Sequence, residues 1–591
     1  MSGLVSALSI AKDALAVQQY GMEVTSHNIA NADTEGYSRQ KAILEAKSPV
    51  PYAGLLFGTG VRMDDVMRNV DRFVEARVMD RTMELASVSE KEMLLGMLEG
   101  LFDVTSGRSL ASQLSDFWNA WHDLSNNPSG PAERDVLLET GASLSQTFAD
   151  LSLEMRQITN EINLSLKTGI TRVNELTSQL AALNGEIMHM KAVGNANDLL
   201  DQRGKVLKEL AGYLDIRSFD QSDGGITVMT KSGHVLVDKV HAYRLNLEEN
   251  DVKWESSSGA WIPITDTIRA GKLGGWLEIR DAVIPKYQAD LDELAKATIW
   301  EVNKIHSQGV GLHLYPPNQT VTSTYQAAGG FSDPNLVFGG RIDFSGSFSI
   351  WIGDSNGANL TSITIDLPSA GIDETASLSE LAAEINDAIA AQGLGGALSA
   401  SVSASNELLF SSDGSHTFGF SEDTSGILAA LGINTFFTGK QAMGMGLNPA
   451  ILADPGLIAA ARIDPSSGTW GAGDGSNALA MADLQYQGVS LRRWRFERGA
   501  AATFVEVGNT TLEDYFHSLV GSIGLQSRSM QAAREYNEMI ANQLRQARES
   551  VSGVSLDQEM TELIKYQHAF LAAAKLISAV DDMLRSLIEA K

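Results

Sequence analysis

The sequence predicts a mainly α-helical, multidomain α+β protein with β-rich inserted domains. Three observations predict it. Both ends carry helical periodicity, a very long helical run lies inside the first half, and strand-like runs occur only in the interior. At roughly 150 residues per domain, 591 residues suggest about four domains.

The first element is a helix. Apolar or small residues recur as Leu4, Leu8, Ala11, Leu15, Met22, Thr25 and Ile29, in steps of four and three that slip at Gln18. Asn31, Asp33 and Gly36, all helix-breaking types, end it. An extended stretch with Pro49, Pro51 and Gly54 follows. From Val66 to about Gly212 the chain reads as mostly helical. Within it Glu133 to Ala192 is one run with Leu144, Phe148, Leu151, Met155, Ile158 and Ile162 on a stripe. A helix beyond about 25 residues reads as a coiled-coil-like rod. Trp118 and Trp121, three apart on the preceding helix, read as core.

From Leu214 to Trp276 the period shortens. Ile226–Met229, Val235–Val237 and Tyr243–Leu245 read as strands, separated by turns such as Asp223-Gly224-Gly225. Helix returns at Asp281–His306, with Pro285 tolerated in the first turn. Between Arg341 and Lys440 lie 98 residues without lysine or arginine. Strand-like runs (Phe348–Ile352, Ile363–Ile365, Leu408–Phe410) surround a helix at Leu378–Ala391. Ser377 and Glu380 give that helix a capping box. Helix resumes at Ala478–Leu484 and Leu512–Glu549. The last helix carries Leu556, Met560, Leu563, Gln567, Phe570, Ala574, Ile577, Leu584 and Ile588 in steps of mostly four and three.

Neither terminal helix buries its seam alone. Either both lie on the main body, or the two ends join each other and further copies. The expected domains are a terminal helical core (1–50 with 551–591), a helical inner domain (51–330 with 441–550, including a small β subdomain at about 213–280), and an acidic β-rich outer domain inserted at 331–440.

Composition narrows the function. The net charge of −28 repels phosphate backbones and anionic lipid, so neither nucleic acid nor membrane is an expected partner. With no cysteine there is no disulfide, thiolate metal site or thiol nucleophile. No run approaches the roughly 18 apolar residues that cross a bilayer. Met1–Gln18 lacks a basic start and is interrupted by Lys12 and Asp13, so it does not read as a cleaved signal.

Motifs for chemistry are few. Gly353-Asp354-Ser355-Asn356-Gly357 has the G-x-S-x-G spacing, but an elbow needs a helix after the serine and strand-like residues follow here. The histidine pairs His234/His241 and His306/His313 are spaced too loosely for a metal site. Arg492, Arg493, Arg495 and Arg498, interleaved with Trp494 and Phe496, form the basic cluster of an otherwise acidic chain. They read as a structural patch or a site for acidic neighbours. No catalytic residue, cofactor or metal is expected. The competing classes are a serine hydrolase using Ser355 and a surface adhesin presenting the acidic insert.

Several long motifs resemble one family. Ser26-His27-Asn28-Ile29-Ala30-Asn31, then Thr34 to Gln40, resembles the N-terminal signature of bacterial flagellar axial proteins of rod and hook. Gly553–Asp557, Tyr566-Gln567, Phe570, Ala574-Lys575 and Asp581–Leu584 resemble their C-terminal signature. Asn197–Arg203, Leu273–Asp281 with Ile284–Tyr287, and Gly473–Ala478 are similar to the hook-associated members at the hook–filament junction. The resemblance covers about 1–309 and 470–591. It implies a structural, non-enzymatic component, exported to the flagellum outside the cell without a cleaved signal. It implies terminal helices that pair in coiled-coil fashion and self-assembly into a ring. It also implies contacts with the hook protein and the second junction protein, and an export chaperone. The alternative within the family is another axial protein such as the hook protein. The interface residues it implies are Leu4, Leu8, Ala11, Leu15, Met22 and Ile29 on one helix and Leu563, Phe570, Ala574, Ile577 and Leu584 on the other. Asn28, Asn31, Gly36 and Tyr37 would shape the turn that leaves the first helix.

Overall fold

A computed structural model describes residues 2–52, 55–102, 109–191 and 194–590. Gly54 of the extended stretch and Ala192, the expected end of the long helix, lie outside the described residues. The fold is mainly helical with β-rich regions in the middle. The helices are α1 Ser2–Ala30, α2 Arg72–Leu101, α3 Leu110–Asn126, α4 Pro131–Lys191, α5 Asn197–Tyr213, α6 Gly271–Glu278 and α7 Ile284–His306. After them come α8 Leu378–Ala391, α9 Ile427–Leu431, α10 Pro449–Ala453, α11 Ser476–Ala482, α12 Leu512–Ser552 and α13 Leu556–Glu589.

The chain divides into two compact units. The first comprises Met1–Met93, Glu161–Ile279 and Arg528–Lys591; the second comprises Leu94–Asn160 and Arg280–Ser527. The expected outer domain at 331–440 falls wholly inside the second.

In the first unit α1 lies along α13, next to an antiparallel ladder of Gln40–Ala46 with Val61–Arg68. The later part of α4 buries Ile162, Leu166, Val173, Leu176 and Leu180. Its buried Asn184 donates to the carbonyls of Ile226 and Lys239 and accepts from the Ile226 N–H, which fixes the β subdomain on the helix. That subdomain holds a four-stranded antiparallel sheet from Ile216–Asp220 to His241–Ala242 and a three-stranded one centred on Asp251–Glu255. Tyr243 and Arg244, read above as strand, are instead the link between the sheets; the next strand is Leu245–Glu248. One strand cannot run through a change of sheet.

In the second unit α3 carries a saturated apolar face. Phe117, Trp118 and Trp121 are fully buried, and Phe117 and Trp121 meet Phe436 at ring distances of 5.7 and 5.3 Å. Asp281 does not open α7 in α-helical form. A π turn spans Ile279–Val283, and α7 then begins with Pro285 in its first turn. Within 331–440, Ser347–Asp354 is the central strand between Thr361–Asp366 and His416–Ser421, and α8 has its capping box at Ser377 and Glu380. Asn434, Phe436 and Phe437, at the end of that stretch, belong to the core around α3 and α7: Asn303 of α7 donates to the Phe437 carbonyl, and its side-chain oxygen accepts from the N–H groups of Phe436 and Phe437.

Candidate functional site

The terminal pair is antiparallel, and three contacts fix its direction. Leu4 lines an open cavity of about 600 Å³ with Asp582, Met583, Ser586, Leu587 and Ala590. Gly21 lies under the Tyr566 ring, so close that a Cβ there would come within 2.5 Å of it. Asn28 donates to Glu559 at 2.9 Å. Residue numbers rise along α1 as they fall along α13, so the first residues of α1 meet the last turns of α13.

The expected seams need adjustment on this geometry. On α1, Leu4, Leu8, Leu15, Met22 and Ile29 are half-buried and Ala11 is buried, but Gln18, Gly21 and Thr25 share the covered face. On α13, Leu563, Phe570, Ala574, Ile577 and Leu584 are half-buried, whereas Leu556, Met560 and Ile588 are exposed. The covered line runs Glu559, Leu563, Tyr566, Phe570, Ala573, Ile577, Val580 and Leu584, in alternating steps of four and three. The line includes a carboxylate and a tyrosine, so a search for apolar periodicity alone misplaces its start.

At the lower end of the pair the turn residues form a buried polar cluster. Asn28 is 1% exposed, and its side chain closes two backbone bonds of Gln40, donating to the carbonyl at 2.8 Å and accepting from the N–H at 2.9 Å. The Tyr37 hydroxyl donates to the same Asn28 oxygen at 2.7 Å and stands 3.1 Å from His27 Nδ1. Burial, and then the nearby carboxylates of Asp198, Asp201 and Glu559, hold that hydroxyl protonated above the ordinary phenol range. Gly36 takes φ 87°, a left-handed conformation that suits glycine, and Arg548 donates to its carbonyl. Asn31, half-buried, caps the end of α1 by donating to the His27 carbonyl and accepts from Thr34.

The cluster continues into α5 and α13. Gln40 donates to Asp198 at 2.9 Å and accepts from Asn197 at 3.1 Å. Asp201 accepts from the Ser38 N–H and from Arg68. Glu559, 2% exposed, accepts from Asn28 through one oxygen and from Arg39 Nε at 2.6 Å through the other. Sequence reasoning singled out Asn28, Asn31, Gly36 and Tyr37 and missed Gly21 and Glu559. It gave Tyr566, Asp198 and Asp201 only as parts of motifs.

The other candidates have ordinary places. Ser355 is exposed in the hairpin between Ser347–Asp354 and Thr361–Asp366, so the strand–turn–helix of a nucleophile elbow is absent there. His306 is core: its Nε2 accepts from the Ala459 N–H and its Nδ1 faces the Asn434 carbonyl. Among the described residues no group of His, Asp and Glu is arranged to hold a metal, and no helix is long and apolar enough to cross a membrane. In the basic cluster Arg492 lies over Phe504, Arg493 over Tyr515, and Arg498 is buried 3.9 Å from Asp281.

Residues 8–37 match the family described as flagella basal body rod protein, and 545–590 match the flagellar basal body rod FlgEFG protein C-terminal family. Residues 95–316 match the flagellar hook-associated protein FlgK helical domain. Flagellar hook-associated protein 1 of Bacillus subtilis is 24% identical, over 100% of this chain and 98% of its own length. The protein of the same description from Salmonella typhimurium is also 24% identical, over 99% of each. This chain is thus similar over its full length to flagellar hook-associated protein 1. The solved flagellar hook junction protein FlgK from Burkholderia pseudomallei shares the fold, with TM-score 0.50 and 17% identity over 80% of this chain and 100% of that one. The polar cluster takes residues from all three matched segments: Asn28 and Tyr37, Asn197 and Asp198, and Glu559.

Proposed function

We infer that the chain is a structural component of the bacterial flagellum that joins hook to filament, and that its action is geometric rather than catalytic. The observation that carries this reading is the apolar surface left uncovered on α13. Met560, Ile564, Leu571, Leu576, Met583 and Leu587 are all about half exposed or more, on flanks beside the covered line. Soluble monomers rarely leave such continuous apolar surface open; it marks an interaction site. Copies of the chain cover these flanks in a ring, with terminal pairs toward the inside. One side of the ring meets the hook protein, the other the second junction protein. Before assembly an export chaperone shields the same surface, and the chain passes the flagellar export apparatus without signal cleavage.

Sedimentation tests the reading. The purified chain, mixed with hook protein or with the second junction protein, is expected to enter large complexes, and a Leu571→Asp chain is expected to stay a monomer. Equal sedimentation of the two chains in both mixtures refutes it.

A further inference from the structure

We propose that Glu559 sets the register of the terminal pair by holding Asn28 of α1 and Arg39 of the turn on one carboxylate. Apart from Gly21, where only glycine fits under the Tyr566 ring, the covered line discriminates registers poorly. Leu563, Phe570, Ile577 and Leu584 repeat at heptad spacing, so a slip of seven sets apolar side chains in one another's places. A single buried polar contact is what usually distinguishes such registers.

The cost of slipping falls on Glu559. In the observed register both of its oxygens are satisfied, by Asn28 and Arg39. Slipped by one heptad toward the start of α1, Glu559 stands where Tyr566 now stands, over Gly21. There the carboxylate loses both Asn28 and Arg39, and a buried charge without equivalent partners is strongly disfavoured. The reference is anchored on the other side as well. Asn28 is bound to both backbone groups of Gln40, and Gln40 in turn to Asp198 of α5. Glu559 therefore registers α13 against the body of the first unit, not only against α1. If the junction reading holds, this register decides which flank of α13 a neighbouring copy meets; the register itself is a property of the single chain.

The chain has no cysteine, so two introduced cysteines are its only thiols. By the offset that pairs Gly21 with Tyr566 and Asn28 with Glu559, Ala7 faces Val580. After that slip of seven it faces Ala573. The experiment oxidises full-length chains carrying either A7C/V580C or A7C/A573C, in three backgrounds: parent, Glu559→Met and Glu559→Gln. Met at 559 strands little, because Asn28 keeps Gln40 and Arg39 is partly exposed. The parent is expected to close the 7–580 disulfide at least tenfold faster than the 7–573 one. Glu559→Met is expected to narrow that ratio at least threefold, and Glu559→Gln, which keeps one acceptor, to restore a clear preference for 7–580. Retention of the parent ratio in Glu559→Met overturns the proposal. Loss of both disulfides in that variant also overturns it, because Glu559 would then hold the helices together rather than choose their register. A Gln variant as slipped as the Met variant removes the role given to the shared hydrogen bonds.

Discussion

Helices α3 and α13 are both amphipathic and are used in opposite ways. The 17 residues of α3 bury Leu110, Leu114, Phe117, Trp118, Ala120, Trp121 and Leu124. The 34 residues of α13 bury only Glu559 and Val580. Both carry an apolar stripe readable in the sequence, but α3 meets partners within its own chain on every apolar side. Helix α13 meets one helix along one line and leaves the rest to solvent. Periodicity thus shows that a face exists; whether the chain itself covers that face is a separate question, and here the answer separates core from interface.

The contrast is sharpest where removal of a side chain is expected to cost most. Trp121→Ala should lower the stability of the second unit by about 3–5 kcal/mol, from lost burial and the cavity left behind. Denaturant unfolding followed by the near-ultraviolet signal checks it; a loss under about 1 kcal/mol contradicts the saturated face. Acid should act on the same core. Burial, with Arg134 nearby, lowers His306 from 6.5 to about 4. The unfolded imidazole takes up its proton near pH 6.5 while the folded one stays neutral to about 4, so stability falls as pH falls through that window. At about 1.4 kcal/mol per unit, the full effect is roughly 3 kcal/mol. Asp423, whose carboxyl burial pushes up, works in the opposite sense. The comparison of parent with His306→Gln isolates the imidazole: the variant should show a flatter fall in melting temperature between pH 7 and 4.5.

In the terminal pair the expected effects on the monomer shrink. Gly21→Ala drives a methyl into Tyr566. Overpacking costs about 1–3 kcal/mol and alanine's helix propensity returns about 1 kcal/mol. A net loss of about 1 kcal/mol should raise amide exchange along α13 several-fold and leave α3 unchanged. Smallest of all is Leu571→Asp. That side chain is 58% exposed, so the melting of the monomer should move by no more than about 0.5 kcal/mol. Attachment of filaments to hooks should nonetheless fail, read by swimming in soft agar and by filament counts. A variant that swims normally would make α13's open flank an ordinary surface.

Local signals carried most of the fold. The Ser377–Glu380 capping box, the stripe of α4 and the turn at Asp354–Gly357 depend only on neighbours in sequence, and all were readable from it. The boundary at Tyr243-Arg244 was not, because β-propensity does not say to which sheet a residue belongs. At the candidate site Asn28 and Tyr37 stood out through a motif. Glu559 did not, because a glutamate in a first helical turn is ordinary by itself. Its meaning depends on Asn28, 531 positions away. Gly21 was opaque for the same reason: only the tyrosine lying on it explains the missing side chain.

That span has a consequence for synthesis. Helix α1 is made long before α13, so the elements between them can form while α1 waits. Closing so long a loop adds little to the equilibrium cost, since each doubling of loop length takes only about 0.6 kcal/mol, but it places this contact among the slowest to form. A product released before α13 is made can build much of its interior and still present α1 unmatched, with the Asn28 amide deprived of its carboxylate.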